Sequence, residues 1–423
     1  MLESAWVAAG FVLYLLVFVG GWHTRWRWYL LPFLPWLSRS WFLLEPVKEL
    51  RFLSTTIEGL RGFDGWRGLR DTHLITLLFA VSCFTPALSA TTAIGLLNAL
   101  AFGTGMVLSL GYMASFSRDL DSQVPVADQM LVTFTALAWF YKFAYGYQLG
   151  ISPLLVRGGG VYASNQYISI AICLLPFVRQ RWVLLLAVTT MLLQFSRGGF
   201  IALGLLAALS ALHRTQSVEA PALQQLVNLR TLAVFVLAVA GGVVLLSFVA
   251  PDGFKFLLVR LIGGGAFGLN IDLADRLATL PLSELVTLAS ESAQRDDRNL
   301  IWSTALDIAA ANHYVGVGAG SFVVAASALN AELLYSNAHN MYLTLLSELG
   351  LAPCLLFVSM LLVHLVRAYR CCAPAFAALS TFAIYGLFSG QIYETSSEAS
   401  IAQFIVLLFV FSTITTSNSH RAC

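Results

Sequence analysis

The sequence predicts an all-α polytopic integral membrane protein of about twelve transmembrane helices, with one large outward-facing helical loop between the ninth and the tenth. Three observations carry that prediction. Of the 423 residues, 58% are hydrophobic and 11% charged, against roughly 25% charged in an ordinary soluble domain. Apolar runs close to the roughly 20 residues that cross hydrocarbon follow one another along most of the chain. Lys and Arg concentrate in alternate loops, as they do on the cytoplasmic side of inner-membrane proteins.

In chain order, the apolar runs predict spans at 5–21, 27–44, 72–88, 91–116, 126–147, 161–178, 181–195, 198–213, 230–250, 351–368, 373–390 and 397–415. One set of connections holds Lys48, Arg51, Arg61, Arg67, Arg70, Arg118, Arg179, Arg181, Arg214, Arg230, Arg367 and Arg370, with Arg421 on the tail. The opposite set holds only Arg25, Arg27, Arg157 and Arg197. That asymmetry places both termini in the cytoplasm and the long segment outside, in the periplasm of a Gram-negative cell. The chain therefore divides into 1–250 with the first nine spans, 251–337 as a periplasmic loop subdomain, and 338–423 with a site helix and the last three spans.

The net charge of +2 supplies no basic stripe, and no nucleic-acid module is recognisable. The six cysteines fall in spans or on the cytoplasmic side, so the outward loop has no disulfide. The first apolar run has no basic leader ahead of it and reads as a span rather than a cleaved signal.

Trp22 to Tyr29 is an aromatic and basic cluster suited to anchoring at headgroup level. Arg118-Asp119-Leu120-Asp121 reads as a solvated turn. Lys142 lies inside an expected span among Phe140, Tyr141, Phe143 and Tyr145, where an ammonium must snorkel or find a partner. The Gly158-Gly160 loop is flexible enough to let backbone approach a ligand or to make an ordinary hairpin.

Ser196-Arg197-Gly198-Gly199 breaks two short apolar runs at their outward end. A guanidinium there is a permanent cation with a planar fork that suits phosphate, whether of a substrate or of a lipid headgroup. In the outward segment, Arg260 and Arg276 are further cations, and a run from Pro281 has helical spacing. Asp296 and Asp297 precede a helix carrying Arg298 and Trp302 one turn apart, ending near Asn312. Gly316-Val317-Gly318-Ala319-Gly320 then makes a tight turn; without a preceding parallel strand it is not a nucleotide loop.

The polar stretch Ser336-Asn337-Ala338-His339-Asn340 opens an apolar helix that runs through Tyr342 to Glu348 and Gly350. Ser336 or Asn337 is expected to cap that helix, placing His339 in its first turn. There the positive end of the helix dipole favours the neutral imidazole, which accepts a proton and can act as a general base. A histidine with a purely capping or interfacial part is the plainer alternative.

Taken in order, Ser196-Arg197-Gly198-Gly199, Arg298 with Trp302, Gly316-x-Gly318-x-Gly320-Ser321-Phe322, and His339-Asn340 with Gly350 resemble the O-antigen ligase and polymerase family. The resemblance spans roughly residues 160 to 370, with one departure at Pro353, where the ligase pattern has Gly, Thr or Tyr. It implies a glycosyltransferase that takes a glycan from undecaprenyl pyrophosphate at the periplasmic leaflet. A ligase passes the glycan to a hydroxyl of the lipid A core. A repeat-unit polymerase passes it to another lipid-linked repeat, and a protein O-oligosaccharyltransferase to a protein. On the ligase reading His339 is the base, and Arg197, Arg298 and Arg260 hold the pyrophosphate. Asn340, Trp302, Tyr342 and Gly350 support them. Neither a metal nor another cofactor is expected, since arginines can neutralise the diphosphate. From another class, a polyprenyl-glycan transporter would put charge at mid-membrane on broken helices; only Lys142 and Arg39 are candidates for that depth.

Overall fold

The computed structural model describes residues 27–31, 72–90, 93–149, 164–194, 196–212, 298–329, 338–389 and 397–421, with isolated positions between 255 and 287. These residues form an all-α bundle. The helices are α1 (Leu74–Ser82), α2 (Ala93–Ser109), α3 (Tyr112–Asp121), α4 (Val126–Leu149), α5 (Ser164–Leu174), α6 (Arg181–Leu192) and α7 (Arg197–Leu212). After the long segment come α8 (Arg298–Ala311), α9 (Phe322–Leu329), α10 (Met341–Glu348), α11 (Leu351–Cys371), α12 (Ala373–Gly386) and α13 (Ser397–Arg421).

The expectation of about twelve transmembrane helices is corrected. Among the described residues, three helices are long and apolar enough to cross a membrane: Ala99–Asp121, Leu351–Cys371 and Ser400–Ser417. Leu74–Leu88, Gln166–Phe177, Arg181–Leu192, Gly198–Leu212 and Ala373–Gly386 are apolar but only 10–17 residues long. At about 1.5 Å per residue, a 12-residue helix such as α6 rises about 18 Å, well short of the roughly 30 Å of hydrocarbon. The cause is local. Pro86 and Pro176 turn the ends of two apolar runs into short 3-10 segments, Thr85–Leu88 and Leu175–Phe177. α4 has 24 residues, but Asp128, Gln129, Lys142 and Gln148 make it too polar. The expected spans at 5–21 and 230–250, and all but the start of the one at 27–44, lie outside the described residues.

The long apolar helices occupy different environments. In Ser400–Ser417, 83% of the window is buried, against 33% in Leu351–Cys371. α13 is therefore the apolar centre of the bundle, with α2, α3, α5, α11 and α12 packed around it, whereas α11 keeps an apolar outer face. A helix apolar on all sides is stable only when it is enclosed in this way or lies in lipid.

Two expectations about surface groups are also corrected. Asp119 is buried rather than solvated, and its carboxylate accepts a hydrogen bond from Trp28 Nε1 at 2.6 Å. Trp28 is fully buried and stacks on Phe116 with ring centres 4.3 Å apart, so it belongs to the core and not to a headgroup belt.

Candidate active site

Two cores meet at the site. The main one fills the bundle. A smaller one joins Ile301, Ala305 and Ile308 of α8 with Phe322 and Ala326 of α9 and with Ala338, the residue before His339. α8 packs on α10 and α9 touches both, so the helix beginning at Arg298 and the helix following His339 share this small core. The apolar spacing of 301, 305 and 308 is one helix face, and its burial is what holds α8 down.

His339 does not lie in the first turn of α10. Asn340 is the cap: its Oδ1 accepts the N–H groups of Tyr342 at 3.0 Å and Leu343 at 3.2 Å. That correction moves His339 one residue ahead of the cap, where its backbone has φ +48°. The left-handed region is sparsely used by residues other than glycine, asparagine, aspartate and histidine. Its use here turns the half-buried side chain of His339 out of the helical register. Ser336 and Asn337 lie outside the described residues.

The end of α12 connects the histidine element to the arginine element. A Cβ on Gly198, next to Arg197 at the start of α7, would meet the ring of Tyr385 at 2.9 Å. A Cβ on Gly386 would meet the Met341 side chain at 2.5 Å. Tyr342 Oη donates to the carbonyl of Ala383, on the same helix, at 2.9 Å. These three contacts, within one turn of α12 from Ala383 to Gly386, bring the first residues of α7 and of α10 to one end of that helix. Ser196 caps α7 by accepting the N–H of Gly199 at 3.3 Å.

Lys142 finds its partner inside the protein. It is fully buried, and its ammonium donates to the carbonyl of Leu193 at 3.1 Å, the C-cap of α6 and four residues before Arg197. A cation at a helix C-terminus opposes the negative end of its dipole. Thr135 and Trp139, at successive turns of the same face of α4, bond Tyr167 and Thr190 at 2.9 Å each. The α6–α7 break is thereby tied to α4 by a ladder of polar contacts ending at Lys142.

Sequence reasoning passed over Glu348. It is fully buried, and its two carboxylate oxygens accept the N–H groups of Gly320 at 2.9 Å and Phe322 at 3.0 Å. Burial pushes its carboxyl up to about 8, while these two bonds pull in the opposite direction. The hydrogen-bond acceptor at the glycine turn is thus the protein's own side chain. Its signal in the sequence was an acidic residue in an otherwise apolar helix, two positions before a glycine.

The glycine turn crosses α10 backbone against backbone. Val317 donates to the carbonyl of Ser347 at 3.0 Å and Gly318 to that of Glu348 at 2.9 Å. Gly316 has φ +95°, and a Cβ on it would lie 2.5 Å from the Glu348 carbonyl oxygen. Beneath the crossing, Thr85 Oγ1 donates to Leu349 O at 2.7 Å and Ser89 Oγ donates to Gly316 O. Pro353 falls in the first turn of α11, where no intrahelical donor is needed, so the departure noted at that position is accommodated without loss.

The remaining site candidates are placed as follows. Arg298 is half-buried at the start of α8. Trp302 is half-buried one turn later, and its indole Nε1 has no hydrogen-bond partner among the described residues. Arg260 and Arg276 lie outside the described residues.

Residues 182–358 match the family model described as O-antigen ligase. Over this central region the chain is similar to the O-antigen ligase family. The match runs from α6 to the middle of α11 and takes in Arg197, Arg298, Trp302, His339, Asn340, Tyr342 and Gly350. No curated protein and no solved structure matches the chain. On this match the chain is classed as an O-antigen ligase-type enzyme, and its long apolar helices are those of a membrane-associated protein.

Proposed function

We propose that this O-antigen ligase-type enzyme transfers O-antigen polysaccharide from undecaprenyl pyrophosphate to a sugar hydroxyl of the lipid A core oligosaccharide. The reaction takes place on the periplasmic side of the bacterial inner membrane. The basic loops and both termini face the cytoplasm, in keeping with the Lys and Arg asymmetry. Residues 1–250, 251–337 and 338–423 act respectively as membrane region, periplasmic subdomain, and site helix with its following membrane helices.

The observation that carries this reading is the convergence of the Arg197 and His339 elements on Tyr385 and Gly386 at one end of α12. The chemistry follows from the residue types. As the acceptor hydroxyl attacks the anomeric carbon, its proton passes to the His339 imidazole. The bond between that carbon and the pyrophosphate oxygen breaks, and negative charge grows on the departing diphosphate. Arg197, Arg298 and Arg260 neutralise that charge through paired N–H donors. Asn340 caps the helix that follows His339 and Tyr342 ties that helix to α12, with Trp302 and Gly350 in supporting parts. A single displacement inverts the anomeric centre and calls on no metal.

The test is a transfer assay with purified protein, undecaprenyl-pyrophosphate glycan and rough lipopolysaccharide, run in chelator. Glycan on the lipid A core supports the reading. Chains lengthening on the carrier would assign the protein as a polymerase. Donor bound but never consumed would point to a transporter.

A further inference from the structure

Four hydrogen bonds join the connection between α8 and α9 to the last two residues of α10. Two are backbone bonds, from Val317 to Ser347 and from Gly318 to Glu348. The other two run from the N–H groups of Gly320 and Phe322 to separate oxygens of the Glu348 carboxyl group. Glu348 is thus the only side chain of α10 seen, among the described residues, to bond this connection, and it is fully buried there. A buried carboxyl group is costly unless bonded, and here both its oxygens are used.

The position of this clasp matters for the site. α10 is a rod of eight residues, about 12 Å long, with His339 and Asn340 at one end and Glu348 at the other. α8 lies along it, beginning at Arg298 and ending just before the clasped connection. Three joints bear on the relation of Arg298 to His339: the apolar contact of Ile301, Ala305 and Ile308 with Ala338, the backbone bonds of Val317 and Gly318 to Ser347 and Glu348, and the Glu348 side-chain clasp. The apolar contact is non-directional and tolerates sliding along the rod. The backbone bonds and the side-chain clasp are directional, and together they fix that slide.

Resting on the transferase reading above, we infer that Glu348 is a positioning residue for glycan transfer. Its carboxyl group locks the α8–α9 hairpin to the His339 helix, keeping Arg298 and the imidazole in register around the breaking bond. The requirement is chemical as well as steric. Two N–H donors need an acceptor on each side, and a carboxyl group offers one whether or not it is protonated. A glutamine would turn an amide NH2 toward one of the N–H groups and lose that bond. An aspartate keeps both acceptors but falls one methylene short.

The test uses the full-length protein in detergent with Glu348→Gln and Glu348→Asp, each alone and combined with Arg298→Ala. Turnover, donor KM and amide hydrogen exchange in peptides covering 316–323 are measured. A shift of about 1 Å in a catalytic group costs about 10²-fold. Glu348→Gln is therefore expected to lower kcat by about 10–100-fold, with a smaller rise in donor KM because Arg197, on a different helix, still holds the pyrophosphate. Exchange at Gly320 and Phe322 should rise, and Glu348→Asp should recover part of kcat. In the Arg298→Ala background, Glu348→Gln should cost far less than it does alone, because both act on one interaction. Should Glu348→Gln fail to fold, Glu348→Asp carries the same comparison. Unchanged kcat with faster exchange would overturn the positioning role, and so would losses that multiply with Arg298→Ala. A wild type that transfers no glycan would instead overturn the transferase reading, and the positioning role with it.

Discussion

Gly350 lies flat against the backbone of Tyr314: a Cβ on Gly350 would sit 2.5 Å from the Tyr314 carbonyl oxygen, and Leu351 N donates to that same oxygen at 2.9 Å. This contact, with Gly316 on its other side, is where the hairpin carrying Arg298 meets the start of α11. Gly350 also has φ +98° and ψ 179°, a region essentially confined to glycine that costs an L residue about 1–3 kcal/mol before any clash is counted.

Gly350→Ala is therefore expected to destabilise the protein by at least about 2 kcal/mol, combining backbone strain with a steric conflict. Thermal unfolding in detergent checks this. A midpoint equal to wild type would mean that the crossing can open without loss.

Asn340→Ala removes both bonds of the α10 cap. Loss of such a cap costs about 0.5–2 kcal/mol, and here the residue before it is His339, held at a left-handed φ. Turnover should fall together with stability, and Asn340→Asp should restore both. Kinetics and melting curves of the two variants decide it.

Helix positions were legible wherever a long apolar run ends at a clear break. The expected 351–368, 373–390 and 397–415 correspond to Leu351–Cys371, Ala373–Gly386 and Ser397–Arg421. Hydropathy does not carry the depth at which such a helix sits, so runs ended by Pro86 and Pro176 were expected to span. The candidate site residues are proposed from residue types suited to the chemistry. Their arrangement was not legible, because it depends on long-range contacts: the cap at Asn340, the meeting of Gly198 with Tyr385, and the Glu348 clasp across 26 and 28 residues.

Lys142→Met keeps the apolar stem and removes the ammonium, leaving the Leu193 carbonyl without that donor. A loss of about 1–3 kcal/mol in stability follows from the buried acceptor. Because Leu193 lies in the turn before Arg197, donor KM should rise as well. Binding of radiolabelled donor to the variant tests this, and unaltered affinity would limit Lys142 to a structural part.

Glu348 gives stability a pH dependence of definite sign. It lies in the short helix before the spanning α11, and burial raises its carboxyl from an ordinary 4.5 to about 8. The folded protein therefore holds the proton more tightly than the unfolded chain. That contribution is complete below about 4.5 and is lost as pH rises through about 8. Relative to Glu348→Gln, which cannot titrate, the wild type should lose stability across this window. Parallel melting-temperature curves for the two proteins would show that the carboxyl does not titrate there.

The central claim is that His339 takes the acceptor's proton while the arginines hold the donor. The most direct measurement is single-turnover transfer by His339→Ala beside equilibrium binding of undecaprenyl-pyrophosphate glycan, with Arg197→Ala as comparison. The account predicts that His339→Ala lowers the transfer rate by about 10²–10⁴-fold with donor affinity close to wild type, whereas Arg197→Ala weakens binding. Transfer by His339→Ala at the wild-type rate, or loss of donor binding as its sole defect, would contradict it.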